Sequence, residues 1–200
     1  MRVAILILAA YFTGAIPTSY IVGRIKGIDL RAHGSGNLGA TNAFRVLGWR
    51  VAVPVFLLDI LKGWFPTYFF PFWDGSDSAL LALAYGAAAI VGHVFSIYVK
   101  FKGGKGVATS AGVLLALAPV AVLVGLVVWA ALVFTTGYVS LASIAAAALL
   151  PLVIFVVQGI GAVFWLSVGL AAFVIFAHRA NIKRLARGEE HSFRKHKQVT

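Results

Sequence analysis

The 200-residue chain is 61% hydrophobic and 12% charged, has no cysteine and carries a formal net charge of +11. Soluble domains hold about twice that share of charge, so the bulk of the chain belongs in lipid, and no polar stretch is long enough for a second core. Without cysteine, disulfides, zinc–thiolate sites and thiol nucleophiles are excluded; the positive charge follows the positive-inside rule and does not call for nucleic acid.

Of the 17 Lys and Arg, five lie between Arg24 and Arg50, three between Lys100 and Lys105, and seven between Arg179 and Lys197. That bias puts segments 24–50, 100–110 and 178–200 on the cytoplasmic side and the acidic turn Asp74 to Asp77 on the other. The run Val3 to Val22 follows Arg2 like a signal peptide. It has nearly the length of a full span and no clear small-residue cleavage site, so it is read as a helix running from outside to inside.

It leads into a first polar patch, SGNLGATNAFRVLG (Ser35 to Gly48). Gly34, Gly36 and Gly39 open backbone conformations closed to other residues. Thr41–Asn42 predicts a short helix that ends at Gly48, and a helix N-terminus beside a glycine loop offers free N–H groups to an anion. Arg45 lies one turn beyond Thr41, where its forked donors suit a phosphate.

Val51 to Phe70 predicts the return outward, with Pro71, Trp73 and neighbouring aromatics at the interface. Asp59 and Lys62 sit one turn apart inside it and are expected to pair. Ala79 to Val99 comes back in and delivers the second patch, GHVFSIYVKFKGGKGVAT (Gly92 to Thr109). His93, at the inner end of that helix, reads equally as a packing residue or a catalyst. Gly103–Gly104–Lys105–Gly106 is not a Walker loop, because Val99 occupies the place of the earlier glycine and the preceding segment is a membrane helix. It is still a flexible amide nest with one cation, running into a helix near Thr109. Lys100 and Lys102 suit anionic headgroups.

From Gly106 to Ala177 there is no charged residue. The segment starts and ends inside, so it holds an even number of spans. Four short helices fit, with breaks near Pro119, Thr135–Gly137 and Gln158–Gly161, the Ala111 to Pro119 segment crossing either fully or only part of the membrane. The expectation is an all-α integral membrane protein, one polytopic domain over residues 1–200. It has about seven transmembrane helices, with the N-terminus outside and the C-terminus cytoplasmic. Ser140 and Ser143, beside the Ala145–Ala148 run, make a small-residue packing surface or turn a hydroxyl toward the site.

The third patch is HRANIKRLARGEE (His178 to Glu190). His178 and Asn181 share a helical face with Arg184 one turn on, and His is the usual acid or base near neutral pH. The plainer reading is a basic amphipathic tail on lipid phosphates. Glu189 and Glu190 are expected to bind nearby Arg and Lys. The six acidic residues are scattered, so no metal site and no cofactor are expected. The His–Asp dyad of acyl-CoA glycerolipid acyltransferases and the aspartate-rich motif of CDP-alcohol phosphotransferases are both missing.

In this order and with this helix pattern, the three patches resemble the bacterial acyl-phosphate:glycerol-3-phosphate acyltransferases, the PlsY family, from Tyr11 to Glu190. Ser35–Gly36–Asn37, Gly39–Ala40–Thr41–Asn42, Arg45 and Gly48 match the first motif. Gly92–His93, Phe95 and Gly103 through Thr109 match the second. His178–Arg179, Asn181–Ile182, Arg184–Leu185, Gly188 and Glu190 match the third. Ser96 departs from the pattern, in which proline is usual.

The resemblance implies acyl transfer from a long-chain acyl phosphate to the 1-hydroxyl of glycerol 3-phosphate, giving lysophosphatidate and inorganic phosphate. It further implies a bacterial inner-membrane location with the site facing the cytoplasm, and a soluble acyl-phosphate-producing enzyme upstream. Ser35, Arg45, Lys105, His178 and Asn181 would form the catalytic set around glycerol 3-phosphate. Gly36, Asn37, Gly39, Ala40, Thr41, Asn42, His93, Gly103, Gly104, Gly106, Thr109, Ser143 and Arg184 would line the substrates. Either the Gly39–Asn42 backbone or the Gly103–Gly104 nest would take the acyl phosphate. Either His178 or the donor's own phosphate would accept the hydroxyl proton, and Ser35 as a covalent nucleophile is a third option. The rival from another class is a transporter of phosphorylated metabolites built from short broken helices.

Overall fold

The computed structural model describes residues 1–76 and 78–193. Asp77, expected on the outer face, and the basic residues Arg194, Lys195 and Lys197 lie outside the described residues. Among the described residues the chain is helical throughout: α1 (Arg2–Ala15), α2 (Thr18–Ile25), α3 (Ala40–Leu47), α4 (Trp49–Asp74), α5 (Ala79–Val94), α6 (Val107–Leu117), α7 (Pro119–Thr136), α8 (Val139–Gln158), α9 (Ala162–Ala177) and α10 (Arg179–Ala186). A 3₁₀ turn at Ile97–Val99 prolongs α5. Two compact units result, Met1–Leu117 and the chain from Ala118 onward, where the sequence suggests one polytopic domain.

Among the described residues four helices are long and apolar enough to cross a membrane, and the count rises to six if each of two bent pairs is one span. The first bent pair, α1 and α2, meets at 42° where Pro17 has no N–H to continue the ladder. The second, α9 and α10, meets at 56° at His178. The internal breaks fall near their expected places, at Ala118, Gly137–Tyr138 and Gly159–Gly161. α4 runs four residues beyond the expected Phe70, because Pro71 and two other prolines are absorbed within the helix.

In the first unit, small residues let helix backbones touch. A Cβ on Gly14 would strike the Ala89 backbone, and one on Gly92 the Tyr11 carbonyl, so α1 lies flush on α5. Gly63 and Gly112 do the same for α4 and α6, facing the carbonyls of Thr109 and Ile60. At one end of this unit Phe70 stacks on Trp73 with centroids 5.0 Å apart, the Tyr85 hydroxyl bonds the Asp74 carboxylate, and Arg2 Nη1 donates to the Trp73 carbonyl at 3.4 Å. The opposite end carries the first two polar patches.

In the second unit α7, α8 and α9 form an antiparallel run, with α10 bent off the end of α9. Their outward faces are apolar, with Leu123, Val127, Phe134, Val156, Trp165 and Phe176 all exposed, as lipid-facing surfaces require.

Candidate active site

The first patch is a loop with a core of its own. Leu30, Leu38, Ala43 and Ala52 pack with Val99 from the 3₁₀ turn after α5, so one apolar cluster underlies both the first and second patches. The loop begins with a clasp. Arg31 donates through Nη2 to Asp29 Oδ2 at 2.7 Å and lies over the Tyr20 ring at 4.7 Å. These Arg31 bonds hold the Asp29 carboxyl at about 2, below the usual carboxylate range.

Asn42, 1% exposed, organises the rest of the loop. Its Oδ1 accepts from the Ser35 N–H at 2.8 Å, and its Nδ2 donates to the Leu30 and His33 carbonyls at 3.1 Å each. The side chain expected to line a substrate is thus the peg that shapes the glycine loop. α3 begins at Ala40 with Gly39 as its N-cap, and no side chain makes a capping hydrogen bond there. Thr41 is exposed there, Ser35 is exposed beside it, and Gly36 and Asn37 lie between. Arg45 follows in the last turn of α3, half-buried. Gly48, with φ +80°, then lets α3 end and α4 begin across a single residue.

The second patch is built over His93, which is buried at the end of α5. The Gly103 N–H donates to the Val94 carbonyl at 3.0 Å and the Gly104 N–H to the His93 carbonyl at 3.2 Å. These two amides are spent on the C-terminus of α5, so the expected Gly103–Gly104 anion nest is not formed by them. Their glycines answer to space: a Cβ on Gly104 would run into the His93 ring. Lys105, half-buried, follows immediately, and Gly106 accepts the Ser110 N–H at 2.7 Å as α6 starts. Thr109 is fully buried, where its backbone meets Gly63 of α4. Ser96 has φ −66°, the value a proline ring imposes, so the backbone keeps the path of the usual residue. Its hydroxyl donates to the Ala15 carbonyl at 2.5 Å.

The third patch belongs to the second unit. His178 sits at the bend between α9 and α10, 4% exposed, with Nδ1 2.8 Å from the Val174 carbonyl. Glu190 organises the rest: its Oε1 accepts from Asn181 Nδ2 at 2.8 Å and Ser140 Oγ at 3.0 Å, and its Oε2 from Arg184 Nε at 2.7 Å. Burial pushes its carboxyl up, but the bonds from Asn181, Arg184 and Ser140 outweigh that and the net displacement is downward. The Phe193 N–H donates to the Gly137 carbonyl at 2.8 Å, fastening the same segment to the α7–α8 turn.

It is Ser140, not the expected Ser143, whose hydroxyl reaches this patch. Ser143 Oγ donates to Val139 and accepts from Trp129 Nε1 at 3.2 Å, joining α8 to α7. Charge alone marks Glu190 as a partner for Arg184; its bonds to Ser140 and Asn181 were not legible in the sequence. Among the described residues, no three His, Asp or Glu come together as metal ligands would.

The chain was compared with known proteins. A family model described as glycerol-3-phosphate acyltransferase matches residues 4–188. The glycerol-3-phosphate acyltransferase of Fusobacterium nucleatum is 46% identical over 189 residues, covering 94% of this chain and 96% of that one. Crystal structures of PlsY (YgiH), an integral membrane glycerol 3-phosphate acyltransferase, share the fold. The glycerol 3-phosphate form has a TM-score of 0.90 at 40% identity, covering 96% of each chain. The lysophosphatidic acid form has a TM-score of 0.87 at 38% identity, covering 96% of this chain and 95% of that one. On this likeness the chain belongs to the glycerol-3-phosphate acyltransferase family.

Proposed function

We propose that the protein transfers a long-chain acyl group from acyl phosphate to the 1-hydroxyl of glycerol 3-phosphate, releasing lysophosphatidate and inorganic phosphate. The observation that carries this reading is the pairing of two cationic loops on one core. Arg45 on α3 and Lys105 at the start of α6 follow segments that meet at Leu30, Leu38 and Val99. Both substrates carry phosphate, and both loops bring a cation out of an otherwise apolar body. Related structures in glycerol 3-phosphate and lysophosphatidic acid forms support the same assignment.

In this reading Ser35, Arg45 and Lys105 hold glycerol 3-phosphate, and His178 and Asn181 are the substrate-binding residues of the third motif. The N-terminus of α3, with the amides of Ala40 and Thr41, takes the acyl phosphate. The substrate hydroxyl attacks the acyl carbonyl, the bond from that carbon to the phosphate oxygen breaks, and inorganic phosphate leaves. The hydroxyl proton passes to the departing phosphate. An acyl phosphate is already activated, so the protein supplies position and oxyanion donors rather than a strong base. Asp59 and Glu190 support this, because both carboxylates are committed to protein donors.

We place the protein in the bacterial inner membrane with seven spans, N-terminus out and C-terminus in, supplied with acyl phosphate by a soluble enzyme. α6, 11 residues and about 16 Å long, is the short seventh span. The inner face then carries the first two patches, opposite Arg2 and Asp74, and in the second unit the α7–α8 turn together with the third patch. Purified protein given labelled glycerol 3-phosphate and palmitoyl phosphate, without added metal, is expected to form lysophosphatidate and phosphate, and to form none with palmitoyl-CoA. Arg45→Ala and Lys105→Ala are expected to abolish turnover in folded protein. Uptake of glycerol 3-phosphate into vesicles without any product would overturn the assignment in favour of transport.

A further inference from the structure

Ion pairs buried at membrane depth are costly and rare, and Asp59 and Lys62 form one in the middle of α4. Lys62 Nζ lies 2.7 Å from Asp59 Oδ1, and the two side chains are 6% and 1% exposed. The pair does not serve α4 itself. Lys62 Nζ also donates to the Ile16 carbonyl at 2.8 Å, and Asp59 Oδ1 accepts from Thr18 Oγ1 at 2.5 Å. Ile16 and Thr18 flank Pro17, where the first span breaks and helix carbonyls lose their usual donors. The Ser96 hydroxyl, on the segment after α5, satisfies the Ala15 carbonyl at the same break. On its other side Asp59 Oδ1 is 3.9 Å from His93 Nδ1. The His93 ring supports Gly104, and the amides of Gly103 and Gly104 are fastened to the carbonyls of Val94 and His93. A continuous line of contacts therefore runs from the broken span, through the buried pair, to the residue before Lys105.

We propose that Asp59 and Lys62 are positioning residues for the reaction: the pair locks the broken first span to α4 and, through the His93 ring, sets the height at which the Gly103–Gly104 segment presents Lys105. The proposal rests on the reading that Lys105 binds substrate phosphate. It explains why the pair lies at the junction of α2, α4 and α5 and not on a face lined only by its own helix. Replacing the pair by apolar residues would be expected to preserve or raise stability if packing were its purpose.

The test uses the full-length protein in detergent. Asp59→Ala leaves Lys62 buried without its partner and is a poor probe of function. Thr18→Val is close in shape and leaves both charges of the pair in place, whereas Asp59→Asn keeps an acceptor oxygen for Thr18 and Lys62 but removes the counter-charge of Lys62. Each is examined by steady-state kinetics and by hydrogen–deuterium exchange of the peptide covering residues 102–106. The expected result is faster exchange in that peptide and a fall of about tenfold or more in kcat/KM for glycerol 3-phosphate, with melting intact in Thr18→Val and lowered in Asp59→Asn. Lys62→Arg, which keeps a charge, is expected to retain more activity than Lys62→Met. A lowered melting temperature with unchanged exchange at 102–106, or with unchanged kinetics, would sink the proposal. Lys105→Ala is run alongside: full activity there removes the reading of Lys105, whereas an inactive Lys105→Ala beside fully active Thr18→Val and Asp59→Asn removes the positioning role alone.

Discussion

At the level of single residues, some side chains that read as ligands are committed to loop architecture. Asn42 spends its amide on Ser35, Leu30 and His33, while Arg45 and Lys105 stand on the loops that such pegs hold. Glu190 is the corresponding peg of the third patch, and its charge makes it testable by pH. Its carboxyl is held below the ordinary value of 4.5, so its contribution to stability is complete above that value and fades as pH falls through the lowered one. Glu190→Gln is expected to lower stability near neutral pH by about 1–3 kcal/mol, since an amide placed against Arg184 leaves donors unpaired. On acidification below about pH 4.5 the wild type is expected to lose its advantage over the variant. Thermal melting of both proteins from pH 7 to pH 3 reads the difference, and parallel curves would show that the carboxylate is not the anchor.

Among the helices, the interface between α4 and α6 has no room for a side chain. A Cβ at Gly112 would meet the Ile60 carbonyl and the Trp64 amide, whereas one at Gly169, on the exposed face of α9, would meet nothing within 4 Å. Gly112→Ala is therefore expected to cost about 1–3 kcal/mol by forcing the helices apart. Gly169→Ala should be neutral or stabilising by up to about 1 kcal/mol through helix propensity. Melting of the two variants in the same detergent checks the contrast, and equal shifts would refute the close approach. The breaks at Pro119, Gly137 and Gly159 were legible because these residues act locally on the backbone; the break at Pro17, inside the run Val3 to Val22 that reads as one helix, was not. The commitment of the Gly103 and Gly104 amides was not, because it depends on where the end of α5 lies beneath them. Motif spacing places Lys105 on a loop; only tertiary contact reveals that His93 supports the loop from below.

Across the whole molecule, charge distribution and helix parity together make a prediction that needs no substrate. Basic residues cluster at one end of each unit: loops 24–50 and 100–105 in the first, α10 in the second. The aromatic end of the first unit holds Arg2 against Trp73 near Asp74. With seven spans, single cysteines at Ser78, Val120 and Ile160 should react with a membrane-impermeant thiol reagent from outside intact cells, and cysteines at Lys102 and Arg187 only after permeabilisation. The natural chain has no cysteine, so no background labelling interferes. Val120 is the deciding position, because it follows α6, whose 11 residues reach about half of a typical 30 Å hydrocarbon layer. Labelling of Val120→Cys from outside would mean that α6 crosses, which requires the bilayer to thin or the ends of α6 to sit below the headgroups. Protection at Val120 together with outside labelling at Arg187 would mean that α6 does not cross and that the third motif does not face the cytoplasm. One set of labelling reactions thus tests the topology and the premise that all three motifs act on the same face.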